Sequence, residues 1–239
     1  MKYKYSILVV GCGGTGGYFL KEFSRYLFQN EGVLKKIHSL TMVDGDMVEA
    51  KNLTRQCFVP EDIGYGKAYA LSGALNEAFS LSWEGYGKYL LSQKELESLL
   101  PCRSRAEKVI PVIIGCVDNH GCRLLLEKYF QNAESCIYFD SANEFSSGEV
   151  VFSVKKDGEV LSRLRSEYFP EVKTGDTRNV DEISCEELNN VAPQHIVANM
   201  LAGNVLLSGI TSLLEQGAPP TGICLFDAKS MSMQYMGNR

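Results

Sequence analysis

Apolar residues follow two different periods along the chain. Residues 6–10 form a short unbroken apolar run, 39–43 form a second ending at Asp44, 109–117 a third with Pro111 near its start, and 137–140 a fourth. Runs of this kind suit strands buried on both faces of a parallel sheet. Between them the period lengthens. Residues 18–28 place Phe19, Leu20, Phe23, Tyr26 and Leu27 on one side of a helix. Residues 67–79, 92–100 and 121–130 read as further helices, the first weakened by Gly73 and the second stopped by Pro101. Residues 46–66 are polar and irregular. Strand and helix therefore alternate through the N-terminal half, which predicts a parallel sheet. The C-terminal half changes character. Residues 149–154 alternate like an antiparallel strand, and 157–190 are charged and predict a loop that crosses the molecule. Residues 192–214 predict a long apolar helix with Pro193 in its first turn, and 223–226 with 231–236 a closing pair of strands. The expected architecture is α/β: one domain over residues 1–239, a mixed sheet with a parallel N-terminal half and antiparallel C-terminal strands, and helices on both faces.

Composition narrows the partners. A net charge of −5 and a pI near 5.4 leave no basic footprint, so nucleic acid is not an expected partner. No stretch reaches eighteen uninterrupted apolar residues, so no membrane span is expected. The opening apolar run ends in a glycine loop, not in a small-residue cleavage site, and the expected location is cytoplasmic. The eight cysteines, Cys12, Cys57, Cys102, Cys116, Cys122, Cys136, Cys185 and Cys224, are spread singly through apolar stretches, which predicts reduced thiols.

The candidate chemistry begins at Gly11-Cys12-Gly13-Gly14-Thr15-Gly16. This fits G-x-G-x-x-G between a buried strand and a helix, the setting of a Rossmann-like nucleotide site. Asp44, ending the second strand, is placed to accept hydrogen bonds from ribose hydroxyls. Those two features alone would predict an NAD(P)-dependent oxidoreductase. The next segments change the expectation. Residues 43–56, VDGDMVEAKNLTRQ, present Asp44, Asp46, Asn52, Arg55 and Gln56 within a short span. A triphosphate needs cations: Arg55 offers a planar fork and Lys67 a point charge. Asp118 ends the third strand, at the sheet edge where ligands bind, and could hold Mg²⁺ through a carboxylate oxygen or cap the following helix. Asn119 and Arg123 follow it. Together these residues favour ATP.

GCGGTGG, VDGDMVEAKNLTRQ, DIGYGK, VDNHGCR, DSANEFSSGEVVF, SCEELNN and LFDAKSMSMQYM resemble, in this order, the motifs of the ThiF/MoeB/HesA superfamily of enzymes that activate ubiquitin-like proteins. The resemblance implies a nucleotide site built from Gly11, Gly13, Gly14, Gly16, Asp44, Asp46, Asn52, Arg55, Gln56, Lys67, Asp118 and Asn119. In it Asp44 would hold the ribose, Asn52, Arg55 and Lys67 the triphosphate, and Asp118 the magnesium ion. It also implies ATP-dependent adenylation of the C-terminal carboxylate of a ubiquitin-like or sulfur-carrier protein, in a homodimer. Cys185, in the crossing segment, matches the place where some relatives form a thioester, or it is a small packing residue; Cys12 and Cys57 are expected to be packing residues. The chain departs from many relatives in having no C-x-x-C pair, so no Cys₄ zinc is expected and something else must order residues 162–172. An N-terminal arginine lent to a neighbouring subunit is not expected either. The small size and missing zinc motif resemble the compact ThiF-type component of bacterial PRTRC gene clusters. The competing readings are adenylation of a peptide or a tRNA base, an NAD(P)-dependent oxidoreductase, and a non-catalytic subunit of a heterodimeric activating enzyme.

Overall fold

Continuous apolar runs must pair their backbone groups while burying both faces, and a central parallel strand does both. In the computed structural model, which describes residues 3–100, 108–178 and 195–237, β1 (Tyr3–Val10) fills that position. It pairs in parallel with β2 (Ile37–Val43) on one side and β4 (Lys108–Gly115) on the other. Beyond β2 lies β3 (Trp83–Tyr86), and beyond β4 lies β5 (Cys136–Asn143), both parallel. The chain then turns back into β6 (Ser147–Lys156), antiparallel to β5. β6 also carries the short β7 (Glu159–Val160), and β8 (Gly222–Asp227) and β9 (Ser232–Gly237) complete the sheet. The order across it is β3-β2-β1-β4-β5-β6-β8-β9. This is the expected Rossmann-like mixed sheet.

Successive residues of β1 feed two cores. Tyr5, Ile7 and Val9 face a layer that contains α1 (Gly14–Gln29), α3 (Lys67–Phe79) and α8 (Ile196–Gln216). Leu8 and Val10 face Leu96 of α4 (Gln93–Leu99) and Leu126 and Phe130 of α5 (His120–Asn132). α8 has a mean hydropathy of 1.6 over a stretch long enough to cross a bilayer. Here it is a core helix, packed along α1, β5 and β6. Gly209 makes that approach possible, because a Cβ there would lie 2.6 Å from the Phe152 ring. The expected Pro193 of its first turn lies outside the described residues.

Three elements depart from the sequence expectation. α1 starts four residues early, at Gly14, because its glycines permit a close tertiary contact that outweighs their poor helix propensity. β3 was not expected: its four residues include Glu84 and Gly85, too few and too mixed to show a period. The short α2 (Glu31–Leu34) was likewise unread.

The largest correction concerns the crossing segment. Residues 157–190 read as a solvated loop, yet their described part holds β7, α6 (Arg165–Tyr168) and α7 (Glu171–Thr174), with Leu164, Arg165, Ser166 and Val172 buried. Acceptors waiting beneath explain this. Arg165 Nη1 donates to Glu149 Oε1 at 2.6 Å. Its Nε lies 2.9 Å from Asp140 Oδ2, an ion pair without hydrogen-bond alignment. Its guanidinium also lies over the Phe169 ring. The Ser166 amide donates to Glu127, and Ser162 Oγ accepts from the Val154 amide. This buried ionic network orders residues 162–172.

Candidate functional site

The C-terminal ends of β1, β2 and β4 meet at one edge of the sheet, and the loops leaving them build the site. Gly11 has φ +95°, and a Cβ there would sit 2.4 Å from the Cys116 carbonyl oxygen. A Cβ on Gly16 would sit 1.8 Å from the Gly11 oxygen, so the turn closes only with glycine at both places. At Gly13 a Cβ would meet only Gln56 Nε2, at 3.7 Å. No side chain caps α1, which leaves its first amides and their positive potential available to an anion.

Asp44 is fastened to this loop. Its Oδ2 accepts from the Cys12 amide at 2.7 Å and its Oδ1 from the Asp46 amide at 2.9 Å. Burial raises its pKa, against the opposing pull of Lys67 and the two amides. Lys67 is the first residue of α3, as its position after DIGYGK suggested. Its buried Nζ donates to Asp46 Oδ2 at 2.7 Å, while the Tyr89 hydroxyl donates to Asp46 Oδ1. Burial pushes the Asp46 carboxyl up, but Lys67 and Tyr89 outweigh it and hold the group below the ordinary range. The Tyr89 ring lies flat on Gly45, where a Cβ would come within 2.6 Å of it. Tyr89 carried no signal in the sequence; it reaches the site because β3 sets it down beside β2.

The remaining residues divide. Arg55 is half-buried, and its guanidinium has no hydrogen bond or ion pair among the described residues. Gln56 lines the Gly13 backbone with its Oε1 buried and unpartnered. Asn52, by contrast, is buried in its own turn, its Oδ1 accepting from the Glu49 amide at 2.8 Å. At the end of β4, Asn119 caps α5: its Oδ1 accepts from the Cys122 amide at 2.8 Å. The cap is therefore not Asp118, whose exposed carboxylate makes no hydrogen bond or ion pair among the described residues. Arg123 turns inward to Asp140 and the carbonyls of Val117 and Ser141.

A family model for ThiF matches residues 3–237. The chain belongs to the ThiF family. Similar solved structures include PaaA, with a TM-score of 0.65 at 13% identity over 98% of this chain and 64% of that one. They also include E. coli MccB with ATP (0.65, 15% identity, 97% and 63% coverage) and with AMPCPP and MccA (0.66, 16%, 98% and 64%). The ThiF-family chain thus spans less than two thirds of these neighbours' length. No curated protein sequence matches it.

On the other flank of its glycine loop the ThiF-family chain carries a neutral polar cluster. Thr15 Oγ1 donates to Asn143 Oδ1 at 3.0 Å and approaches Asn199 Oδ1 at 3.3 Å; Asn143 Nδ2 donates to Asn199 Oδ1 at 2.8 Å. Asn199 is fully buried, and its Nδ2 lies 2.3 Å from where a Cβ on Gly14 would stand. The sequence reading missed this residue, although a signal was there: Asn199 shares the apolar face of α8 with Ala202 and Leu206, a costly place for an amide without a role.

Cys185 lies outside the described residues. Cys12 is buried and Cys57 half-buried, and burial raises both thiols above the ordinary range. His195 falls inside the helix predicted over residues 192–214; in the structure it is the exposed N-cap of that helix, and its Nδ1 accepts from the Val197 amide at 3.2 Å.

Proposed function

We propose that this protein uses ATP to adenylate the C-terminal carboxylate of a ubiquitin-like or sulfur-carrier protein. One observation carries the reading. The glycine loop, Asp44, Lys67, the unpartnered Arg55 and the cap-free Asp118 converge at a single sheet edge. Family membership supports it, as do the structures of MccB with ATP and with AMPCPP and MccA. An NAD site would use the loop and Asp44 but has no need of the arginine beside them, unless it favours a 2′-phosphate.

The chain's own residues supply positioning and charge. The glycine loop and the α1 amides hold phosphate, and Asp44 accepts from the ribose while remaining tied to Cys12. Arg55 and Lys67 stabilise the charge that grows on the departing pyrophosphate, with Lys67 exchanging Asp46 for phosphate oxygen. Asp118 fits a hard cation: it is an exposed carboxylate at a strand end, and no group of three acidic, His or Cys ligands stands among the described residues, so phosphate oxygens would complete the shell. Mg²⁺ bound there would neutralise triphosphate charge. An ionised carboxylate attacks the α-phosphorus, a new oxygen–phosphorus bond forms, and the bond to the bridging oxygen breaks with its electron pair leaving on pyrophosphate. No general base is needed, because the nucleophile carries no proton. The reading includes a homodimer, to which the exposed Phe145, Ile196, Val197 and Met200 offer apolar surface, and leaves Cys185 as the residue that could accept the acyl group as a thioester.

Thermal melts with Mg·ATP, ATP plus chelator, NAD(H) and NADP(H) test the reading. A ligand at about 100 times its Kd adds ~2.7 kcal/mol. For a chain of this size that raises the midpoint by roughly 5–10 °C. A shift with Mg·ATP is expected. A shift with a nicotinamide cofactor and none with Mg·ATP would return the protein to the oxidoreductases.

A further inference from the structure

The strand order lays the site out as a row. Asp44 follows β2, the glycine loop follows β1, Asp118 follows β4, and Asn143 ends β5. Neighbouring strands stand about 4.8 Å apart, so the two ends of this row are separated by roughly 14 Å. All the cationic groups assigned to the triphosphate, Arg55 and Lys67, belong to the β2 end. Beside the glycine loop, the β5 end carries the neutral Thr15–Asn143–Asn199 cluster.

Asn199 is the unexplained member. Its oxygen accepts from Asn143, with the Thr15 hydroxyl close by, while its Nδ2 is buried with no partner among the described residues. That N–H lies against Gly14, the first residue of α1, whose amides no side chain caps. A buried donor without an acceptor is costly, and one aimed at an uncapped helix N-terminus calls for an acceptor that arrives with a ligand. The chemistry of the pocket narrows the choice. The described cations nearest this end, Arg123 and Arg165, are taken up by Asp140 and Glu149, so it suits a singly charged acceptor, not a polyphosphate. In-line displacement also requires the nucleophile to enter opposite the leaving group. Pyrophosphate leaves toward Arg55 and Lys67, so the nucleophile enters from β5.

We propose that the Thr15–Asn143–Asn199 cluster holds the attacking carboxylate, with Asn199 Nδ2 donating to one oxygen while the other bonds to the α-phosphorus. This rests on the adenylation reading above. Asn143 is half-buried at the mouth and orients Asn199, so it is a positioning residue.

The test uses the full chain saturated with Mg·AMPCPP, to which triglycine or triglycinamide is added during thermal melting. Triglycine is expected to raise the midpoint further and triglycinamide to leave it unchanged. Asn199→Ala is expected to keep the AMPCPP shift and to bind triglycine at least about tenfold more weakly, the loss of one hydrogen bond to a charged group. Asn143→Ala, at the half-exposed end of β5, gives the same pattern more weakly and serves if the buried variant does not fold. A triglycine shift that survives both substitutions, or that triglycinamide reproduces, overturns the assignment, as does the absence of any triglycine shift in the AMPCPP-bound wild type. Failure of AMPCPP itself to shift the wild type is a different result: it removes the adenylation reading first.

Discussion

Two ion pairs in this molecule look alike in length and in their buried cations, and differ in their carboxylates. Lys67 meets Asp46 at 2.7 Å, and Arg165 meets Asp140 at 2.9 Å. The aspartate of the first pair has 47% of its side chain exposed, that of the second 1%. Water and ligands can therefore compete for Asp46 and Lys67, whereas nothing reaches Asp140. The first pair is exchangeable, and a phosphate oxygen can replace the carboxylate without leaving a charge stranded. The second is sealed between β5, β6 and α6, and its worth lies in holding the crossing segment down. Burial of the partner, more than distance, separates a binding pair from a structural one.

Arg165→Ala should break the comparison most severely. It leaves Asp140 to the longer contact with Arg123 alone and weakens the hold on Glu149, and removing one partner of a buried pair costs about 3–5 kcal/mol. A denaturant melt should show that loss, and the midpoint should fall by roughly 10 °C. Stability near that of the wild type would mean that the segment over residues 162–172 is ordered by something other than this network.

Lys67→Ala should do the reverse. Lys67 is itself buried, but its partner is half-exposed and water can solvate the Asp46 carboxylate left behind, so the midpoint without ligand should fall less than in Arg165→Ala. The Mg·ATP shift should disappear. A variant that melts early yet still responds to Mg·ATP would exchange the roles assigned to the two pairs.

The titration of Asp46 sharpens the contrast. In the wild type Lys67 and Tyr89 outweigh burial, so the folded carboxyl titrates below its unfolded value of about 3.9. A depressed carboxyl binds fewer protons folded than unfolded. Its stabilisation is therefore present above the unfolded value and lost as pH falls through the folded one. In Lys67→Ala burial, already the largest single influence, loses its main counterweight, and NMR titration should find Asp46 moved upward. An unmoved Asp46 would show that Tyr89 alone sets it.

The site was half legible in the sequence, for a physical reason. The glycine loop, Asp44, Arg55 and Lys67 sit at fixed offsets from strands whose apolar runs announce themselves, so local pattern locates them. Strand ends along the parallel half follow from the same rule. Asn143 and Asn199 join Thr15 across 128 and 184 residues of sequence, and no local period registers such a meeting. Arg165 was hidden by its company: in a charged stretch one more arginine reads as solvated, and only Asp140 and Glu149, on other strands, pull it inside. Asn52 adds a local role that its motif does not announce: its side-chain oxygen caps its own turn.

The placement of Asn199 against Gly14 also sets the order in which the molecule can be finished. β1 and α1 leave the ribosome well before the elements that cover them: β1 needs residues 108–115 beside it, and α1 needs α8. Between the synthesis of Thr15 and that of Asn199 lie 184 residues, roughly 10–40 s of elongation. Throughout that interval the apolar faces of the first strand and helix have no lasting cover. The glycine loop, encoded long before α8, is among the last parts to take shape, and a chain released before α8 is made would carry every residue of the loop without the contact of Asn199 on Gly14.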